Sequence, residues 1–194
     1  RITVLSEMRD TLGLLMQWEG VDIAGDWGKE AFDAAIAKID QLISDGYIRR
    51  IKGNAYMNDL KSGNAIAGIV WSGDLFVLRA ETENDNWEFV IPESGGTLWS
   101  DNLMVPITST HRRNAEALMN YYYDPAVAAE VAAYVNYVCP VVGAQQEMEK
   151  IDPDLAESPL IFPTTDFIKD SNIQGFRALT PREDADYSAE WARV

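Results

Sequence analysis

The chain has 194 residues, 47% of them hydrophobic, and a formal net charge of −15 at pH 7. This composition predicts a folded core, and no apolar run approaches the roughly 20 residues that a membrane-spanning helix needs. The negative charge argues against nucleic acid as a partner and would draw a cationic ligand toward the protein.

Strands and helices alternate in the first hundred residues. The chain opens at Arg1 directly into a predicted strand without a signal peptide, so we expect a mature or truncated piece whose targeting signal lies upstream. The clearest helix is at 29–44, where apolar residues recur at i, i+3, i+4 and i+7 and Gly46 ends the pattern. In chain order, the predicted elements here are a strand at 2–5, helices at 7–18, 29–44 and 55–60, a strand at 66–71, a helix at 74–80, and strands at 87–91 and within 96–106.

The second half of the chain is predicted to be mainly helical. After a helix at 114–122, Asp124 and Pro125 form an N-cap and first-turn pair that predicts a further helix to about residue 135. A loop is expected at 136–145, and short helices and turns fill 146–194. Strands alternating with helices predict an α/β fold with a mostly parallel or mixed sheet. The chain carries no glycine-rich motif for nucleotide phosphates.

Few residues could support catalysis or hold a metal ion. Cys139 is the only cysteine and His111 the only histidine, so neither an internal disulfide nor an ordinary zinc site is expected. A nucleophilic pair of these two residues has little support. We therefore expect no metal, no cofactor and no enzymatic activity.

The stretch from Gly96 to Pro106 combines a large aromatic residue with an acid. If it forms a half-buried strand, Trp99 and Asp101 share one face, about 7 Å apart. Such a pair suits a ligand that is both cationic and oily, because the carboxylate can pair with an ammonium group while the indole covers methylene groups. Trp71 ends another predicted strand, and ligands of open α/β folds collect at the carboxyl ends of strands.

Simpler interpretations of these residues remain open. Core packing is the commoner role of a tryptophan. Glu7 and Asp10, one turn apart at the start of the first helix, could form a second acidic point, but acids there also complement the helix dipole. Carboxylates beside aromatic rings also occur in glycosidase clefts, although no feature of the sequence marks one acid as buried and protonated.

Four separate stretches carry a resemblance to a known family. They are GNAIAGIVWSGDLFVLRAE (63–81), FVIPESGGTLWSDNLMVP (89–106), NAEALMNYYYDPAVAAEVAAYVNYVCPV (114–141) and LIFPTTDFIKDSNIQ (160–174). In order and spacing they resemble the spermidine/putrescine-binding proteins, which are the extracytoplasmic solute-binding components of polyamine ABC importers. The similarity runs over nearly all of the chain.

The resemblance implies a periplasmic-binding-protein-like fold, in which two α/β lobes are joined by crossing strands and hold the ligand between them. Because family members are longer, the chain would be the C-terminal portion of such a protein. Residues 1–103 would form the first part of the second lobe, 104–139 would belong to the first lobe after a hinge crossing, and 140–194 would return to the second lobe and form the tail.

The resemblance also implies ligand contacts in the first half of the chain. Trp71 matches the aromatic residue of the family's "[IV]W.G" block. Trp99 and Asp101 match the aromatic residue and the acid of its "W.D" block. Glu7 and Asp10 match an acidic pair that follows the first strand of the lobe, in the most divergent region.

Two further contacts are implied in the second half. Tyr137 matches a loop aromatic, with Asn136 in place of the family's glycine. Gln174 matches a glutamine that follows an "IK" pair, with Ile173 where an aromatic residue is usual. These departures leave the identity of the polyamine open.

The resemblance implies a protein that captures polyamine without chemical turnover, closes about a hinge and is recognised by an ABC transporter permease. Its location would be extracytoplasmic, either periplasmic or attached by a lipid anchor upstream of this chain. With half of the site, this chain alone is expected to bind polyamine weakly or not at all, and Asp101→Asn in the complete protein is expected to weaken binding by at least ~1.5 kcal/mol. The alternatives are a binding protein of the same architecture for another organic amine, an opine or a sugar, and a carboxylate-based hydrolase.

Overall fold

The computed structural model describes residues 1–194, and the backbone falls into two units. The first unit contains residues 1–99 and 168–194, and the second contains residues 100–167. In chain order the elements are β1 (Ile2–Leu5), α1 (Met8–Trp18), α2 (Lys29–Ser44), β2 (Ile48–Lys52), α3 (Tyr56–Lys61), β3 (Ala67–Gly68), α4 (Asp74–Thr82), β4 (Gly96–Thr97), α5 (Arg112–Tyr122), α6 (Pro125–Val135), α7 (Ala144–Ile151), α8 (Pro153–Glu157), α9 (Thr165–Asp170), β5 (Ile173–Gln174) and α10 (Pro181–Trp191).

All strand pairs in the first unit are parallel. β1 is the middle strand of a three-stranded sheet in the order β2-β1-β3, and β4 pairs with β5 in a separate two-stranded sheet. Parallel sheets are usually covered on both faces, and the adjacent residues Val4 and Leu5 of β1 are both buried. Because the strands run the same way, the carboxyl ends of β1, β2 and β3 lie at one edge of their sheet.

Two apolar cores cover the three-stranded sheet. The larger one includes Leu12 of α1, Phe32 and Ile39 of α2, and Tyr187 of α10. Here the rings of Phe32 and Tyr187 stack with centroids 4.1 Å apart, so the C-terminal helix completes a core that begins near the N-terminus. The smaller core contains Leu5, Tyr56, Leu60, Ala65 and Leu78.

The strongest helix predictions are confirmed. α2 spans Lys29–Ser44 and ends before Gly46, whose φ of +78° belongs to the left-handed region that glycine tolerates. α6 begins at Pro125, and the Asp124 carboxylate accepts a hydrogen bond from the Ala126 amide as the predicted N-cap.

The strand prediction at 87–91 is wrong, and the one within 96–106 is confirmed only at Gly96–Thr97. Residues 87–91 and 98–105 have no regular structure, because a segment becomes a strand only where a neighbouring strand pairs with its backbone. β2 and β5 are strands that the sequence did not predict. None of the helices combines the length and apolar character that crossing a bilayer requires.

The second unit is helical. α6 packs against α7, and α7 against α8, while α5 buries none of its residues. Residues 140–167 group with 100–139 in this unit. The division of the chain into 1–103, 104–139 and 140–194 between two lobes, which the resemblance implies, stays a prediction.

Candidate ligand-binding site

Glu7 and Asp10 lie at the carboxyl end of β1, where the chain enters α1. Glu7 is exposed, and its carboxylate accepts a hydrogen bond from the Ser6 hydroxyl at 3.2 Å. Asp10 lies in the first turn of α1 and is only 9% exposed. The two predicted acids therefore differ sharply in their access to water.

Trp71 lies close to Asp10, although it comes from a different strand. It follows β3, which pairs in parallel with β1, so both residues belong to the same edge of the sheet. The indole Nε1 of Trp71 is buried and makes no hydrogen bond of ordinary geometry. It nevertheless lies near enough to the Asp10 carboxyl to lower the pKa of that group.

The net effect of its surroundings is to raise the pKa of Asp10. Burial is the largest cause, and the negative charge of Glu7 also raises the pKa, while the Trp71 indole and the Arg9 guanidinium lower it. Burial raises the pKa of an acid because the charged form loses its hydration. The charge of the Asp10 carboxylate is thus only partly compensated by its neighbours. A cation placed beside it would stabilise the charged form.

Tyr56 and Asp74 hold the backbone of Trp71. The Tyr56 hydroxyl accepts a hydrogen bond from the Trp71 amide at 3.2 Å and donates one to the Asp74 carboxylate. The Asp74 amide in turn donates to the Trp71 carbonyl at 3.1 Å. Sequence reasoning missed Tyr56, because a tyrosine in a short amphipathic helix is most simply interpreted as core.

Trp99 and Gln174 are neighbours through the two-stranded sheet. The Leu98 amide donates to the Gln174 carbonyl at 3.0 Å, so Trp99 follows the end of that pairing and is 52% exposed. The Gln174 side chain accepts from the Ile23 amide at 3.1 Å and donates to Asn172 Oδ1 at 2.9 Å. Its amide group is therefore anchored within the first unit.

Asp101 and Tyr137 belong to the second unit. Asp101 is exposed and lies in a stretch without regular structure, so the predicted alternation that placed it on one face with Trp99 has no strand to support it. Tyr137 follows the end of α6 and is 37% exposed. The structure therefore brings Glu7, Asp10 and Trp71 together and places Trp99 beside Gln174, and the role of Asp101 and Tyr137 stays a prediction.

A family model described as bacterial extracellular solute-binding protein matches residues 4–163. The spermidine/putrescine-binding periplasmic protein 1 of Haemophilus influenzae is 26% identical over 166 residues, which is 77% of this chain and 45% of that protein. The spermidine/putrescine-binding periplasmic protein of Escherichia coli K12 is 30% identical over 118 residues, which is 60% of this chain and 32% of that protein. The chain thus spans less than half the length of these curated relatives.

Solved structures share the fold. A protein from Listeria monocytogenes, provisionally named as a spermidine/putrescine ABC transporter, gives a TM-score of 0.83 at 23% identity over 99% of this chain and 56% of its own. The substrate-binding protein PotD of a Streptococcus pneumoniae spermidine/putrescine ABC transporter gives 0.75 at 21% identity with the same coverage. These matches confirm the predicted periplasmic-binding-protein-like α/β fold class.

Proposed function

The chain belongs to the family of bacterial extracellular solute-binding proteins, and we propose that it supplies part of a polyamine-binding site. The proposal draws on its relatives, which are named for spermidine and putrescine, and on the chemistry of this chain. A net charge of −15 favours the approach of a cationic solute.

The observation that carries the proposal is the placement of the Asp10 carboxylate beside the Trp71 indole. Burial has already removed most of the water from Asp10, and the indole N–H offsets its charge only in part. An ammonium group would supply the missing positive charge through a charge-assisted hydrogen bond. The aromatic surface of Trp71 would cover the adjoining methylene groups, which a metal ion does not possess, and a neutral sugar lacks the ammonium group.

The remaining contacts extend this arrangement. Trp99, exposed beside the anchored Gln174, would contact a second part of the carbon chain. Glu7 would attract the ligand at the exposed end of the acidic pair, and the contacts of Asp101 and Tyr137 that the resemblance implies stay a prediction. In this proposal the protein acts outside the cytoplasm, in the periplasm or on a lipid anchor, and delivers polyamine to an ABC transporter permease.

The proposal is tested by nuclear magnetic resonance of the 15N-labelled chain, which has six indole N–H groups. Because this chain covers less than half of its relatives, we expect spermidine and putrescine to shift the Trp71 and Trp99 indole signals with millimolar dissociation constants. Trp18 is the internal control, because it is 55% exposed and the Lys38 ammonium lies 4.4 Å from its ring centre. Magnesium chloride controls for general attraction of cations.

Three kinds of result would count against the proposal. If magnesium shifts the same signals as spermidine, or if all six indoles respond alike, the effect is diffuse electrostatic attraction. If a sugar or an opine shifts Trp71 and Trp99 while amines do not, the solute belongs to another class. A micromolar or tighter polyamine affinity would show that the chain holds more than part of the site.

A further inference from the structure

Trp71 is fixed by a closed ring of hydrogen bonds that involves only two other residues. Its amide donates to the Tyr56 hydroxyl at 3.2 Å, and its carbonyl accepts from the Asp74 amide at 3.1 Å. The ring closes because the same Tyr56 hydroxyl donates to the Asp74 carboxylate. Both backbone polar groups of Trp71 are thereby held at the point where the chain passes from β3 toward α4.

Tyr56 also restrains the indole itself. The two rings meet edge to face, with centroids 6.0 Å apart and an interplanar angle of 68°, which is a favoured geometry for aromatic pairs. Tyr56 is fully buried in the smaller core beside Leu5 and Leu60. Its ring is therefore fixed in place, and the half-buried indole of Trp71 packs against it.

We infer that Tyr56 is a positioning residue, which holds the Trp71 indole against Asp10 and so determines how strongly this end of the site binds an ammonium group. The ligand part of the inference rests on the proposed function. The structural part rests on the hydrogen-bonded ring and on the aromatic contact. In this inference Tyr56 acts through Trp71 and would not touch the ligand.

The buried indole nitrogen supports this role. This nitrogen lies close to the Asp10 carboxyl, since the indole lowers the pKa of Asp10. Tyr56 and Asp74 hold the Trp71 backbone, and the Tyr56 ring contacts the indole. Together these contacts explain why the indole lies beside Asp10. The same contacts keep the indole ring in place next to the carboxylate, which is the group that would accept a hydrogen bond from an ammonium.

The test uses Tyr56→Phe, which removes the hydroxyl and keeps the ring. Tyr187→Phe is the matched control, because Tyr187 is also buried but stacks on Phe32 in the larger core.

Two readouts need no ligand: the Trp71 indole N–H signal, and the pKa of Asp10 followed by the chemical shift of its carboxyl carbon. We expect Tyr56→Phe to move the indole signal and to raise the Asp10 pKa further, because the indole lowers that pKa in the native protein. Tyr187→Phe should leave both unchanged.

The third readout is the spermidine titration followed at Trp71. Loss of a neutral hydrogen bond that orients the site should raise the dissociation constant about threefold in Tyr56→Phe and leave it unchanged in Tyr187→Phe. Asp74→Ala removes the acceptor that fixes the Tyr56 hydroxyl and should displace the indole by a second route, which keeps the test valid if Tyr56→Phe does not fold.

The outcomes separate this inference from the proposed function. If Tyr56→Phe leaves the indole signal and the Asp10 pKa unchanged while spermidine still shifts Trp71 normally, the positioning role is overturned and the function stands. If both ligand-free signals move but native Trp71 never responds to spermidine, the positioning stands and the polyamine function falls. A general loss of stability that is equal in the two tyrosine variants, without movement at Asp10, also overturns the inference.

Discussion

The carboxylates of Glu7 and Asp10 lie one helical turn apart, yet one is exposed to solvent and the other is almost entirely enclosed. The first turn of a helix favours both charges. Burial outweighs this for Asp10, because its pKa is raised, first by loss of hydration and further by the charge of Glu7. The pair therefore combines an accessible charge with one that is unfavourable until a cation arrives.

Replacing Asp10 with Asn should stabilise the ligand-free protein at neutral pH. The pKa of the Asp10 carboxyl is higher in the folded state than its ordinary value of 3.8. The stability that this group contributes at low pH is therefore lost as pH rises from 3.8 through the folded-state pKa. At pH 7 the charged Asp10 carboxylate therefore lowers the stability of the folded protein, and Asn removes that charge. Thermal unfolding should show a higher Tm for Asp10→Asn at pH 7, with the advantage disappearing below pH 3.8.

The same variant should lose the spermidine response of Trp71, because the amide cannot form the charge-assisted bond. Glu7→Gln is the matched control, since it removes an equal charge from the exposed partner and should reduce that response without abolishing it. A lower Tm for Asp10→Asn at pH 7 would contradict the destabilising role that we assign to the buried charge.

Glu183 should stabilise the fold above pH 4.5 and lose this effect in acid. Its carboxylate pairs with Arg177 at 2.7 Å, and this pairing, with hydrogen bonds from Thr180, lowers the pKa of Glu183 to about 2. An acid with a lowered pKa contributes stability that is complete above its ordinary value of 4.5 and is lost as pH falls from 4.5 toward 2. The Tm difference between the native protein and Glu183→Gln should follow that course.

The control for Glu183 is Asp186→Asn. Asp186 pairs with Arg182 at 3.6 Å, but both side chains are largely exposed, and such pairs contribute little. A Tm change of equal size in the two variants would show that position on α10, and not the partly buried pairing with Arg177, governs the effect.

Gly95→Ala should disrupt the two-stranded sheet that leads to Trp99. Gly95 has a φ of +122°, and a Cβ atom there would lie 2.3 Å from the Asn172 carbonyl oxygen. The substitution must separate the two segments, so we expect a lower Tm and a shifted Trp99 indole signal. Gly46 also has a positive φ, of +78°, but a Cβ atom there meets no atom within 4 Å, so Gly46→Ala should cost only backbone strain of about 1 kcal/mol and leave Trp99 unchanged.

Phe32→Ala should be among the most destabilising single substitutions in the first unit. The ring is fully buried and stacks on Tyr187, and removal of such a side chain typically costs about 3–5 kcal/mol. Urea unfolding followed by circular dichroism would measure the loss. Ile107→Ala, whose side chain is fully exposed, should change the free energy of unfolding by less than about 0.5 kcal/mol; equal effects would contradict our description of the core.

The helices could be predicted because their signals are local. The apolar spacing of α2 and the capping of α6 by Asp124 require only residues within one or two turns. The strands depend on partners that are distant in sequence. Residues 87–91 (WEFVI) are rich in strand-forming residues but pair with no strand, whereas β2 carries the charged sequence IRRIK and is a strand because β1 pairs with it.

In the site, too, local sequence signals could be predicted and contacts between distant residues could not. Asp10 and Trp71 are each predicted as site residues, Asp10 from its place in the first turn of a helix and Trp71 from its place at the end of a strand, and the resemblance implies both. Their proximity depends on the pairing of β3 with β1, and the unequal burial of Glu7 and Asp10 depends on tertiary packing. The part played by Tyr56 depends on a hydroxyl that reaches another element, which no spacing rule describes.

The stack of Tyr187 on Phe32 has a consequence for biosynthesis. The ring of Phe32 emerges from the ribosome long before the residue that covers it. The nascent polypeptide therefore carries an open apolar surface on α2 and closes that surface only when α10 has been made.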